Sequence, residues 1–485
     1  LPPSEFAPIA LAHGTVAAVC DPHEIANVLG VKGVQYMIEN AATAPLKFYF
    51  SAPSCVPATI FETSGAQLTL QDTETLLKMP QIKFLGEMMN FPGVIYDDPD
   101  VSKKLEMAKR HHKAIDGHSP GLRGKDLKKY VSAGITTDHE CFTMEEALEK
   151  LSLGMKILIR EGSAVKNFDE LIPIAHEHYN NCMFCSDDKH PDDLLKGHIN
   201  DLVRRALDTG LEQMKVFQMA CINPVRHYGL EVGCLQKGDS ADFLVIDDFD
   251  GLHIRQTVIN GEIVAENGRS LLPRKPAGIV NRFAATPKNP QDFSVPDQKR
   301  AVNIMDVIDG QLITQKSRDT LEAENGHLKS NIEKDILKIA VVNRYEDLKP
   351  AVGFVRNFGL KYGAIAGSIA HDSHNIIAVG TTDEEICSAV NLIIENKGGI
   401  GAVCDRHQVR EILPLPIAGL MGDEDFETVA NQYTRLDTLA KEMGSTLHAP
   451  FMTLSFMALL VIPEIKLSDK GLFDGTRFEF MDLFS

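Results

Sequence analysis

The feature that most limits what this chain can fold into is the pace at which strand and helix signals alternate over its first 190 residues. Runs such as Thr15 to Asp21, Leu46 to Val56, Ile82 to Gly86 and Cys182 to Cys185 are each followed by a helical pattern, as in repeated βα units around a parallel sheet. One of those helices opens on Thr143 and Glu146, a capping-box pair, and ends near Leu153. Seven strands can be counted as far as Cys185, one fewer than the eight that close a (β/α)8 barrel. The expected fold class is therefore α/β, a TIM-type barrel whose first strand precedes Leu1. Leu1 is not an initiator Met, and the sequence is expected to begin inside a longer protein.

Polar residues gather where these strands end. Glu87 follows Ile82 to Gly86, His118 follows Ala114 to Asp116, His139 follows Ile135 to Thr137, and Asp187 follows Cys182 to Cys185. In a parallel barrel the carboxyl ends of the strands converge on one face, so these four residues can share a metal ion there. Two imidazoles and two carboxylates are a plausible ligand set for metal-assisted hydrolysis. The bland reading of each, taken alone, is a helix cap or a hydrogen-bonded polar residue. Asp21, His23 and Glu24 read equally as groups that orient substrate or ligands and as a Pro22-containing turn capping the next helix. Arg160 and Glu161 read as an ion pair bordering the pocket or as a structural pair, and Asp188 is the weaker alternative to Asp187.

Charge and length narrow the function classes. With 67 acidic against 49 basic residues the formal net charge is -18, which leaves no electrostatic footprint for a nucleic-acid polymer or an anionic membrane. The longest apolar run, around Phe451 to Pro463, is too short to span a bilayer. Nine scattered cysteines without a signal peptide point to reduced thiols and a cytoplasmic location. The expected domains are the barrel over 1–230, a small β module over 231–272 with an Asn260-Gly261 turn, a linker over 273–297, and a C-terminal α/β domain over 298–485. The densest polar cluster of the last domain is His371, Asp372, His374 and Asn375, which reads either as part of a site or as a turn.

At these residues the sequence resembles the bacterial-type adenine deaminases of the amidohydrolase superfamily. The resemblance runs through Asp21-Pro22-His23-Glu24-Ile25-Ala26-Asn27-Val28, Pro53-Ser54-Cys55-Val56-Pro57, the Glu87, His118, His139 and Asp187 segments, Asn223-Pro224, His371-Asp372-Ser373-His374-Asn375 and Leu415-Pro416-Ile417-Ala418-Gly419. It implies hydrolysis of adenine to hypoxanthine and ammonia in purine salvage or adenine catabolism. It also implies a binuclear centre of manganese or iron, with zinc as an alternative, and a homo-oligomer. The family ligand pattern is a His-x-His pair on strand one, then Glu, His, His and Asp. Glu87, His118, His139 and Asp187 match the last four, while the His-x-His pair is not in this chain. Asp187 is the expected proton carrier, with Glu87 as the other catalytic residue, and Asp21, His23, Glu24, Arg160, Asp188, His371, Asp372 and His374 are the substrate-binding or supporting candidates. Two alternatives stay open: a hydrolase of a related aminopurine or cyclic amide, and an inactive fragment lacking the His-x-His strand.

Overall fold

The computed structural model describes residues 1–163, 165–249 and 251–485. It divides into two compact units, one of Leu1–Ala26, Val31–Cys55 and Leu68–Ala277, the other of Asn27–Gly30, Val56–Gln67 and Gly278–Ser485.

The first unit holds seven parallel strands: β1 (Ala17–Cys20), β2 (Lys47–Ala52), β3 (Ile82–Met88), β4 (Ala114–Gly117), β5 (Thr137–Asp138), β6 (Lys156–Arg160) and β7 (Cys182–Cys185). They hydrogen-bond as two ladders, β1 to β4 and β5 to β7, each in sequence order. Strand side chains alternate between faces, and here that alternation builds two separate layers. Val19, Tyr49, Phe84, Ala114, Leu158 and Met183, from six different strands, meet in one inner cluster. On β6 the flanking Ile157 and Ile159 face the other way and pack with Phe168, Leu171 and Val203. The two ladders thus curl around a common interior, as a barrel wall does.

Helices cover the outer face. Thr143 caps the helix Met144–Ser152 by accepting from the Glu146 N–H, as its sequence foretells. The 167–179 stretch, which reads as one helix, is instead a series of single turns around Pro173, whose missing N–H and ring interrupt the ladder. Likewise the helical pattern from Glu24 to Ala42 is split into His23–Leu29 and Val31–Ala41, with Gly30 at φ 64 between them.

A four-stranded antiparallel sheet completes this unit: β8 (Phe243–Ile246), β9 (Ile254–Ile259), β10 (Glu262–Glu266) and β11 (Arg269–Ser270), in the order β11-β10-β9-β8. Asn260 and Gly261 join β9 to β10 with φ of 53 and 85, the tight turn their sequence calls for. Ile259, Val264 and Ala265 pack on Ala7, Ala10 and Leu11 of the first helix.

The second unit is built on an eight-stranded sheet between Val302 and Pro414, largely antiparallel, with helix Asp383–Glu395 laid on one face. Ile386, Val390 and Ile393 of that helix fill a core with Ala340, Ala364 and Ile376. Phe293, from the Pro- and Asn-rich stretch, is fully buried in the same core.

Lys466 is buried in this unit, its Nζ donating to Leu312 O at 2.6 Å and Phe456 O at 3.0 Å. Burial lowers its pKa from 10.5 to about 7. Between those values the unfolded chain carries a proton that the folded chain lacks, so stability rises with pH across the window, by about 1.4 kcal/mol per unit. Lys466→Met is expected to remove this one-proton slope. Urea unfolding at three pH values between neutrality and pH 10 measures it, and an unchanged slope would show that Lys466 stays charged in the fold.

Candidate active site

The residues that leave the carboxyl ends of β1, β3, β4, β5 and β7 meet in one half-buried site. Glu87, next to last in β3, sits at its centre. Its Oε2 is 2.9 Å from His118 Nδ1 and 3.1 Å from His139 Nε2, and its Oε1 is 3.4 Å from His23 Nδ1. Asp187 completes the arc, with Oδ2 3.6 Å from His139 Nε2.

Backbone contacts fix this arrangement. Asp21 Oδ2 accepts the Glu87 N–H at 2.8 Å while Oδ1 accepts the Ser51 hydroxyl at 2.6 Å. Gly86 permits that approach, because a Cβ there would collide with the Asp21 carboxylate. The Tyr130 hydroxyl donates to Met88 O at 2.8 Å and accepts the His118 N–H at 3.0 Å, joining the ends of β3 and β4. Asp21 therefore acts on Glu87 through its backbone.

Electrostatics follow from the crowding. Burial raises the Glu87 carboxyl, but the His118 and His139 rings outweigh it and hold the group well below the usual carboxylate range. Burial opposes the charge on His139 too, yet Glu87, Asp187 and Glu140 raise its pKa to about 10. His118 is raised against the same burial by Glu140 and Glu87, and His23 by Glu24 and Asp21. The rings thus take up protons in the field of the carboxylates. A cation arriving here displaces those protons, so its binding weakens as pH falls.

Arg160 and Glu161 do not pair with each other. As neighbours on an extended segment they point to opposite sides. Arg160 reaches Glu140 and Asp187 Oδ2, the latter at 2.6 Å, while Glu161 pairs with Arg205 at 2.9 Å. Glu140 is buried, with Oε1 3.4 Å from His139 Nε2 and 3.8 Å from His118 Nδ1. From the sequence alone Glu140 has no place in the site; its adjacency to the strand-end His139 is the signal that could have found it. Asp187 itself has φ 48, a left-handed conformation that Asp tolerates better than most residues. The carbonyl of Asp188 accepts the Ser163 N–H at 2.9 Å. Beside Asp187, a small open cavity of about 190 Å³ is bordered by Leu1, Phe6, Ser186 and Lys189.

Comparison with known proteins decides the family. The amidohydrolase family pattern matches residues 2–264, and the adenine deaminase C-terminal domain matches residues 311–479. The adenine deaminase of Sulfurovum sp. (strain NBC37-1) is 58% identical over 99% of this chain and 89% of its own length. That of Salinibacter ruber is 53% identical over 100% of this chain and 89% of its own. The chain belongs to the adenine deaminase family. A β-aspartyl dipeptidase from Fervidobacterium islandicum AW-1 is a more distant likeness, at 16% identity and a TM-score of 0.43 over 55% of this chain and 77% of that one.

Membership in the amidohydrolases makes this chain an enzyme that works with a divalent metal, and the donor set fits one. Glu87, His118 and His139 offer ligand atoms within 4.8 Å of one another. His118 Nε2 is buried without a hydrogen-bond partner among the described residues. The carboxylates of Asp21, Glu24, Glu87, Glu140 and Asp187 outnumber the Arg160 guanidinium and the rings of His23, His118 and His139 that face them. A surplus of buried negative charge is costly unless a cation offsets it.

His371, Asp372 and His374 lie in the second unit, in the buried turn between strands Ala364–Ala370 and Asn375–Gly380. There the His371 ring stacks on Phe456 at 4.7 Å, and the Tyr345 hydroxyl donates to Ser373 O at 2.6 Å. Among the described residues no helix is long and apolar enough to cross a membrane.

Proposed function

We propose that this adenine deaminase family member hydrolyses adenine to hypoxanthine and ammonia, with Glu87, His118 and His139 holding the principal divalent cation. The observation that carries this reading is the Glu87 carboxylate set between the two imidazoles at 2.9 and 3.1 Å, with Asp187 beside His139. Two histidines and one carboxylate with room beside them suit ferrous iron, and the carboxylate-rich surroundings suit manganese. When bound, such a cation supplies electrophilic activation of water at neutral pH.

The remaining steps belong to the chain's own groups. As the water oxygen bonds to the purine carbon that carries the amino group, the electron pair of the ring C=N bond moves to the adjacent ring nitrogen, and one water proton passes by way of the Asp187 carboxylate to that nitrogen. The remaining hydroxyl proton then passes through Asp187 to the exocyclic nitrogen, the C–N bond breaks as the C=O bond forms, and ammonia leaves. Arg160 holds Asp187 at Oδ2, keeping the carboxylate aimed at the ring while its other oxygen handles the proton. His139, Glu140 and Asp187 also offer ligand atoms within 4.8 Å of one another, but His139 would use the same Nε2 that faces Glu87, and Arg160 engages both carboxylates, so a second cation has only a weak hold there. The nine unpaired thiols support action in a reducing, cytoplasmic compartment.

The test is ammonia release from adenine by the chain loaded with manganese or ferrous iron, with and without chelator, beside a panel of other aminopurines and cyclic amides. Chelator-sensitive release with adenine as the best substrate is the expected result. Turnover of another ring but not of adenine would overturn the substrate assignment. Silence across the panel from folded, metal-loaded chain would overturn the claim that these residues suffice.

A further inference from the structure

Lys150 is fully buried on the helix Met144–Ser152, and each of its three ammonium hydrogens has an acceptor. Nζ lies 2.8 Å from Ser119 O, 3.1 Å from Asp138 Oδ2 and 2.7 Å from Glu146 Oε1. Two of these acceptors adjoin the paired histidines in sequence, since Ser119 follows His118 and Asp138 precedes His139.

The network continues around the ammonium. Asp138 Oδ2 also accepts the Ser119 N–H at 3.0 Å and the Ser119 hydroxyl, and its Oδ1 accepts the Glu140 N–H at 2.7 Å. Glu146 Oε1 accepts the Gly121 N–H at 2.9 Å. One buried cation therefore ties the loop after β4 to the end of β5, and the two histidine rings stand with centroids 5.3 Å apart. A lysine kept only for packing gains nothing from such an arrangement, because a well-packed apolar side chain stabilises a core at least as well as a buried ion pair.

We propose that Lys150 is a positioning residue whose ammonium, through Ser119 and Asp138, sets the separation of His118 and His139 and so preorganises them for the divalent cation. This rests on the reading that these histidines hold the metal. Residues that orient metal ligands from behind typically change affinity by about 10- to 100-fold when removed.

The experiment measures cation affinity by competition with a chromophoric chelator, and the visible spectrum of the cobalt(II)-substituted chain, for the parent and for Lys150→Met. Affinity weakened by about 10- to 100-fold in a folded variant, with a shifted cobalt spectrum, is expected. Removing one partner of a buried pair strains the fold, so Lys150→Met combined with Asp138→Asn and Glu146→Gln, which neutralises both carboxylates that face the ammonium, carries the same readout. A folded variant that binds the cation as tightly as the parent, with the parent's spectrum, overturns the proposal and leaves Lys150 as part of the core. Failure of the parent itself to bind the cation refutes the underlying metal assignment instead.

Discussion

Asp187→Asn is expected to lower kcat by about a hundred- to ten-thousand-fold, the range that a positioned acid–base group contributes. The substitution isolates proton transfer because it disturbs little else. Asn accepts the left-handed backbone that Asp187 adopts at φ 48, so the turn after β7 keeps its shape. Its amide oxygen still accepts from Arg160, which stands 2.6 Å from the carboxylate it replaces. Glu87, His118 and His139 are untouched, so the principal cation stays bound. KM should move far less than kcat, since the interaction removed is one made as the proton moves. Parallel measurement of ammonia release and of bound metal checks this. An unchanged kcat with full metal would assign the proton to another group, and loss of the principal metal would make Asp187 one of its ligands.

Much of this site was legible because barrel chemistry sits at strand ends, and strand ends can be read from apolar runs. Cys182 to Cys185 is a strand over those same residues, and Glu87, His118, His139 and Asp187 converge as their positions foretell. What stayed hidden depends on contacts between distant residues. On an amphipathic helix Lys150 reads as one more solvated charge, and only the folded chain reveals that Asp138, Glu146 and the Ser119 carbonyl enclose it. The adjacency of Arg160 and Glu161 suggested a pair, but strand alternation sends them to Asp187 and Arg205. Pro173 and Gly30 announce breaks that helical periodicity alone runs across. Assignment of 56–67 to the second unit is set by long-range packing, such as Thr63 N–H donating to Asp469 Oδ1 at 2.9 Å, and no local pattern encodes it.

Arg160→Met is expected to destabilise the metal-free chain by about 3–5 kcal/mol, the cost of breaking a buried ion pair by removing one partner. Arg160 is 2% exposed and the side chain of Glu140 1%, so neither group can turn to water when the other is lost. Glu140 Oε2 and Arg160 Nε have no hydrogen-bond partner among the described residues, which concentrates the pairing on the guanidinium contact with Oε1. Asp187 fares better, since its side chain is 27% exposed and so open to solvent. The protonated rings of His139 and His118, 3.4 and 3.8 Å from Glu140 Oε1, offset part of the stranded charge and pull the expected loss toward the lower end of the range. A second substitution decides whether charge or shape is responsible. Arg160→Met combined with Glu140→Met replaces the pair by apolar side chains, an exchange that is often neutral or stabilising, and should recover most of the loss. Urea unfolding of the parent and both variants measures each term. If the double variant is no more stable than the single one, the guanidinium acts through packing, and the electrostatic account of this corner of the site is wrong.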